Sequence, residues 1–192
     1  MSSINISADD LGGRSSAIRR MLSPLVVSDE GRRTQSTVAC RQAANVNYYI
    51  LGAYDGTRPA SYRDWRFSTV RRDFRGMYFE AWKSVEDSGL WTLFQAYFSL
   101  YQTVRSAHSE REILAIHCDP LEEARAPHAL YKQGPHLHVK LAEDPIPHAH
   151  FALNRGHLPD VLSSVGSISS AMEMALIMVR EQVLDLDWSR VA

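Results

Sequence analysis

The spacing of apolar residues along the chain changes near residue 110. Before that point, apolar side chains recur every three to four positions, which is the period of an amphipathic helix. The clearest series is Val70, Phe74, Met77, Ala81 and Val85. After that point, apolar and polar residues alternate, as they do in a strand. The pattern therefore predicts helices first and strands afterwards.

Three long helices are predicted, with bounds of 62–86, 90–105 and 167–185. Ser61 and Asp64 have the spacing of a capping box at the start of the first helix. A turn signal, Asp-Ser-Gly, separates the first helix from the second. Gly76 lies in the middle of the first helix, where it indicates either a bend or close packing.

Two earlier stretches are less regular. Ser7 and Asp10 have Ser-x-x-Asp spacing, so a short helix is expected to begin there and to end before Pro24. Residues 37–54 carry a helical stripe of small and aliphatic side chains, but residues 46–51 also have the composition of a strand. Helix is the favoured interpretation of 37–54.

Three strands are predicted after residue 110, at 112–118, 135–141 and 148–154. The expected fold class is α+β, with N-terminal helices followed by a small antiparallel three-stranded sheet and a C-terminal helix. A length of 192 residues indicates a single domain. Its predicted parts are a loose N-terminal arm over 1–36, a mainly helical, Arg-rich part over 37–107, a His-rich sheet over 108–157 and a C-terminal helix over 158–192.

All eight histidines lie within residues 108–157, and the phrase Pro-His-x-His occurs twice there. In a hairpin, His136 and His138 share a face of one strand, and His148 and His150 share a face of the other. A register centred on the proline-rich loop places His138 opposite His148 and His136 opposite His150. Three of these four imidazoles can hold a divalent ion, zinc in the first instance, and leave a position for water.

Three side chains near the predicted histidine site are further candidates for metal binding or catalysis. His117 and Asp119 stand at the end of the preceding strand, where they are candidates to complete a metal shell or to act in catalysis. Glu143 in the hairpin loop is a candidate general base. Cys118 is expected to be inert packing, since a buried thiol seldom reacts. The competing interpretation is that the histidines form a solvated polar face without a metal.

Charge is unevenly distributed along the chain. Residues 1–76 hold 12 arginines, no lysine and seven acidic residues, a net charge of +5, whereas residues 77–192 carry −6. The candidates for contact with an anionic partner, nucleic acid or an acidic protein surface, are Arg63, Arg66, Arg71, Arg72 and Arg75. The favoured alternative is that these arginines pair with carboxylates of the same chain.

The composition of the chain limits the class of protein and the cell compartment that we expect. A hydrophobic fraction of 45% is enough for a core, and the longest apolar run is too short to span a bilayer. Two cysteines do not make a disulfide framework, so a cytoplasmic protein with reduced thiols and no membrane contact is expected.

Two functions fit these observations, and no motif of a known histidine family decides between them. The first is a metal-dependent hydrolase that acts on a phosphoester or a nucleic-acid-related substrate. The alternative is a non-catalytic interaction or regulatory subunit of a multi-protein assembly. In that case the histidine face and the Arg-rich helix are its contact surfaces.

Overall fold

The computed structural model describes residues 3–26, 35–43, 46–56, 59–104, 109–121, 132–139, 150–153 and 158–186. Within these residues, nine strands form one sheet in which every pairing is antiparallel. The strands are β1 (Asn5–Ser7), β2 (Gln35–Ala43), β3 (Val46–Tyr54), β4 (Phe67–Ser68), β5 (Phe74–Ser84), β6 (Leu90–Val104), β7 (Ser109–Cys118), β8 (His136–Val139) and β9 (His150–Ala152). The helices are α1 (Ala8–Leu22), α2 (Leu158–Val161) and α3 (Val165–Val179).

The strand order is β2-β3-β5-β6-β7-β8-β9, and the two short strands β1 and β4 pair with β6 and β5, respectively. The long strands β5, β6 and β7 therefore lie at the centre, and β8 and β9 follow them towards one end. Among the described helices, none combines the length and the apolar composition needed to cross a membrane.

The predicted fold class is wrong. The stretch 37–54, for which helix is favoured, forms β2 and β3, and the predicted helix over 90–105 is β6. The predicted helix over 62–86 begins with a single 3-10 turn at Tyr62–Asp64 and continues as β4 and β5. The part over 37–107 is thus mainly sheet, and the small three-stranded sheet is one end of a much larger one.

The helical spacing in β5 arises because this strand is buried on both faces. Tyr78 and Trp82 belong to the main core, whereas Met77 and Phe79 belong to a second apolar cluster. Since neither face is polar, the alternation that identifies a strand disappears. In β6, Ala81 of β5 pairs with Gln95 and Trp82 pairs with Leu93, so Phe94 is an extra residue that interrupts the alternation.

The later elements of the prediction are confirmed within the described residues, which leave out 140–141, 148–149 and 154 of the predicted strands. The expected strands at 112–118, 135–141 and 148–154 correspond to β7, β8 and β9. The expected C-terminal helix corresponds to α3 and to the π-helical turn that continues it, Arg180–Leu184.

The N-terminal helix is also confirmed, as α1. The Ser7 side chain accepts a hydrogen bond from the Asp10 N–H at 3.1 Å, which satisfies one free donor of the first turn. The predicted loose arm over 1–36 is wrong for residues 3–26. Ile4 and Ile6 are buried, and β1 pairs with the start of β6.

The sheet has a different apolar cluster on each face. On one face, side chains of the sheet merge with those of α1 and α3 into the main core, which includes Leu11, Ile18, Leu22, Tyr78, Trp82, Phe98, Met172, Leu176 and Val179. On the other face lies a smaller cluster of Ile50, Tyr54, Trp65, Met77, Phe79 and Ala81.

Two glycines allow aromatic rings to lie directly on the sheet. A Cβ on Gly76 would lie 2.3 Å from the Phe67 ring, and a Cβ on Gly52 would lie 2.4 Å from the Trp65 ring. Gly76 therefore marks close packing and not a bend. Each ring covers backbone that a larger side chain would hold away from it.

A buried ion pair joins the two long helices to the sheet. Glu80 on β5 is 1% exposed, and its carboxylate accepts hydrogen bonds from Arg14 Nε at 2.9 Å and Arg14 Nη2 at 2.6 Å. The Tyr78 hydroxyl and the Trp82 indole N–H donate to the same carboxylate. Arg14 also donates to Ser169 of α3 at 2.7 Å.

The charges of this network are set by burial and by contact. Burial alone would lower the pKa of Arg14, but the Glu80 carboxylate raises it well above its ordinary value. Burial, followed by the Glu80 charge, raises the pKa of Tyr78, so this hydroxyl stays a donor. The network is therefore an ionised pair whose carboxylate is surrounded by donors.

We predict that Arg14→Met lowers the free energy of unfolding by about 3–5 kcal/mol, since it leaves a buried carboxylate without its cation. Urea denaturation measures the loss. Arg20→Met is the matched control, because Arg20 is an exposed residue of the same helix. Its effect should stay within about 0.5 kcal/mol. The double variant Arg14→Met/Glu80→Met should recover much of the lost stability. Equal stability of the Arg14 and Arg20 variants would contradict this account.

Candidate metal centre

Three histidines lie on one face of neighbouring strands. His117 on β7 is directly opposite His136 on β8, and His138 lies two residues further along β8. Opposed residues of an antiparallel pair share a face, as do residues two apart on one strand. Tyr97 and Phe79 continue the same cross-strand row on β6 and β5. The histidines therefore lie on the face that carries the smaller apolar cluster.

The three imidazoles lie close enough together to hold one metal ion. Each offers a ring nitrogen, and these nitrogens lie within 4.8 Å of one another. Bonds of about 2.0–2.1 Å to a tetrahedral zinc ion would separate ligand nitrogens by about 3.3 Å. The rings would therefore need to close by no more than about 1.5 Å around an ion.

The environment of His136 determines which of its ring nitrogens carries a proton. Its side chain is fully buried, and Nδ1 lies 2.9 Å from the Gly134 carbonyl oxygen. A carbonyl only accepts, so Nδ1 carries the proton and donates it, which leaves a lone pair on Nε2. The Nε2 atoms of His117, His136 and His138 are all shielded from solvent. The centre is thus built from buried imidazole nitrogens.

The predicted register of the hairpin is wrong by two residues. The structure pairs His138 with His150 and His136 with Ala152, where the sequence suggested His148 and His150 as partners. The side chain of His150 and the whole of His148 lie outside what the structure describes. Their roles as ligands stay predictions.

The other candidates near the site have separate outcomes. His117, expected as an accessory or catalytic residue, is a member of the three-histidine group. Asp119 is not in that group, and its carboxylate accepts a hydrogen bond from the Gln95 amide at 2.9 Å. Glu143 lies outside the described residues.

Cys118 is packing, as expected. Its thiol is fully buried and donates to the Gln133 carbonyl oxygen at 3.0 Å. Burial, and after it the charge of Asp119, raises the pKa of this thiol well above its ordinary value. The thiolate, which is the reactive form, is therefore scarce at neutral pH.

The arginines do not form a helical stripe, because the helix predicted to carry them does not exist. Three of the five form ion pairs within the chain, which are Arg66 with Glu110 at 3.1 Å, Arg71 with Asp73 at 3.1 Å and Arg75 with Asp55 at 2.9 Å. Arg63 and Arg72 are exposed. Contact with an anionic partner stays a prediction.

Tyr97 is a neighbour of the centre that sequence reasoning missed. Its ring lies 4.0 Å from the His117 ring, centroid to centroid, and its hydroxyl donates to Glu112 at 2.9 Å. Because 90–105 is predicted to be a helix, the sequence does not place Tyr97 beside a residue of a neighbouring strand such as His117. The available signal was the alternation of Gln95, Tyr97 and Ser99, which places a tyrosine among polar residues of one strand face.

No protein-family model, curated protein or solved structure matches this chain. The function is therefore inferred from the chemistry of the centre. Neutral imidazole nitrogen is a preferred ligand of zinc, copper, iron and nickel, whereas magnesium and calcium prefer oxygen.

We predict that Cys118 does not react with a thiol reagent in the native protein at neutral pH. The raised pKa leaves little thiolate, and burial excludes the reagent. The measurement is Ellman's assay on the Cys40→Ser variant, in which Cys118 is the remaining thiol. One equivalent should react in denaturant and almost none in its absence. Prompt reaction of the folded protein would show that the thiol is accessible and contradict the assignment.

Proposed function

We propose that this protein binds a divalent metal ion, zinc by preference, through His117, His136 and His138, and that the bound ion activates water for hydrolysis. The observation that carries the proposal is the convergence of three imidazoles from two adjacent strands. Histidines on a solvated face have no reason to converge, since each ring is better hydrated when it points away from the others.

The ligand set supports zinc chemistry of the hydrolytic kind. Catalytic zinc sites use three protein ligands and keep a fourth position for water, whereas structural sites fill all four positions with protein. Zinc lowers the pKa of bound water to about 7 and so supplies hydroxide at neutral pH. Three histidines are a ligand set known in such catalytic sites.

The substrate class has less support than the metal. The predicted Arg-rich helix would suit a phosphoester, but that segment is not a helix, and Arg66, Arg71 and Arg75 pair with carboxylates of the chain itself. The same pairing weakens the alternative of an interaction subunit that uses an arginine surface. We therefore propose hydrolysis without a phosphoester preference.

We predict that the untagged protein holds about one equivalent of zinc and that His138→Ala holds little. The metal content is measured by mass spectrometry after purification. Zinc should raise the melting temperature of the parent above its value in chelator, because the ion binds the native state. It should not raise that of His138→Ala. The control is Asp119→Asn, an isosteric change outside the three-histidine group, which should retain the metal. A parent without metal, whose melting is the same in zinc and in chelator, would end the proposal.

We further predict that hydrolysis depends on the bound zinc, and His150→Ala tests whether a fourth histidine also holds the ion. The probes are p-nitrophenyl acetate and bis(p-nitrophenyl) phosphate, each tested with the parent, with His138→Ala and with chelator added. Activity should disappear with the metal in every case. Loss of zinc in His150→Ala would instead mean that a fourth histidine closes the site. In that case the protein binds metal, but the ion has no position for water and does not activate it.

A further inference from the structure

We infer that Tyr97 is a positioning residue for the metal centre. It fixes the ring of His117, and Glu112 fixes Tyr97 in turn. The inference rests on the proposed function, because positioning has a purpose only if His117 is a ligand. Tyr97 itself is not among the three proposed ligands.

The His117 ring lies between two other rings. The Tyr97 ring is on one side, with the centroids 4.0 Å apart and the planes inclined by 39°. The His138 ring is on the other side, with the centroids 4.2 Å apart and the planes inclined by 29°. Rotation of the imidazole out of this position would require one neighbour to move. The stack therefore sets the direction in which the ring edge of His117 points.

The Tyr97 ring also contacts the ring of Phe79 on the neighbouring strand β5. Phe79 stacks on it with the centroids 5.2 Å apart and the planes inclined by only 14°. Phe79 is 6% exposed and belongs to the smaller apolar cluster. Because Phe79, Tyr97 and His117 are direct cross-strand partners on β5, β6 and β7, the row of rings follows the strand spacing. A buried phenylalanine thus stabilises the tyrosine that contacts the ligand.

The hydroxyl of Tyr97 is held at its other end. It donates to Glu112 Oε1 at 2.9 Å, and the Ser99 hydroxyl donates to the same oxygen. Because a carboxylate oxygen accepts, the Tyr97 hydroxyl is the donor in this contact. The ring is therefore fixed by its strand, by the stack and by a charge-assisted hydrogen bond.

Removing the ring should weaken zinc binding without unfolding the protein. Residues that orient a ligand typically contribute 10–100-fold to metal affinity, so we expect Tyr97→Leu to lose affinity by about that factor. Tyr97→Phe keeps the stack and should bind zinc almost as the parent does. The zinc affinity of each variant is measured by competition with a chromogenic chelator. Urea denaturation in chelator gives the stability of the metal-free variants.

Tyr101→Leu is the matched control. Tyr101 lies on the same strand, contacts the same carboxylate oxygen at 3.5 Å and packs against Arg66, but its described ring contacts do not include His117. If Tyr97→Leu and Tyr101→Leu weaken zinc binding equally, the effect is general loosening and the inference is wrong. Unchanged affinity in Tyr97→Leu would also overturn it. Tyr97→Met, which keeps most of the volume without a ring, replaces Tyr97→Leu if the latter does not fold.

A second measurement needs no metal. In the metal-free protein, the ring current of Tyr97 should shift the NMR signals of the His117 ring protons upfield, and Tyr97→Leu should remove this shift whereas Tyr101→Leu should not. If the parent binds no zinc but the shift behaves in this way, the proposed function fails, the inferred role of Tyr97 in a metal centre fails with it, and only the ring contact stands. If the parent binds zinc and the shift is absent, the proposed function stands and the inference fails.

Discussion

The packing of the helices on the sheet depends on the buried ion pair between Arg14 and Glu80. A carboxylate in an apolar core is tolerated only when donors surround it, and here the donors come from α1 and from two aromatic neighbours on β5. Arg14 also contacts Ser169, which brings α3 to the same point. Aliphatic contacts allow packed surfaces to slide, whereas a two-pronged guanidinium–carboxylate pair does so only at high cost. We therefore regard this pair as the point that fixes the position of both helices over the sheet.

The sequence predicts the second half of the fold far better than the first. Where a strand has one polar face, as in β8, apolar and polar residues alternate, and this alternation predicts the position of the strand correctly. Where a strand is buried on both faces, as in β5, apolar residues lie on both faces. Some of these residues then recur every three to four positions by coincidence, which imitates the spacing of a helix. The composition of residues 46–51 favours a strand, which is what β3 is. The helical stripe of small and aliphatic residues outweighs this composition, although such a spacing does not by itself distinguish helix from strand.

The sequence predicts part of the histidine cluster directly and part of it only through the strand pairing. The Pro-His-x-His phrase places His136 and His138 on one face, since residues two apart on a strand share a face, and the structure brings them together with His117. The third member, His117, follows from the pairing of β7 with β8, which depends on tertiary structure and not on spacing. The supporting residues Gly134 and Tyr97 were missed for the same reason. A carbonyl that orients an imidazole leaves no trace in the side-chain pattern.

The three histidines are distributed over two strands, and this has a consequence for the edge of the fold. An ion held by His117 and His136 would tie β8 to β7 in the native state and would stabilise the pairing of these two strands. β8 and β9 lie at one end of the strand order, where local opening is least costly. The amount of available metal would then determine how often β8 and β9 open locally and how readily proteases cleave them. β8 and β9 would become ordered or disordered while the central strands of the sheet remained folded.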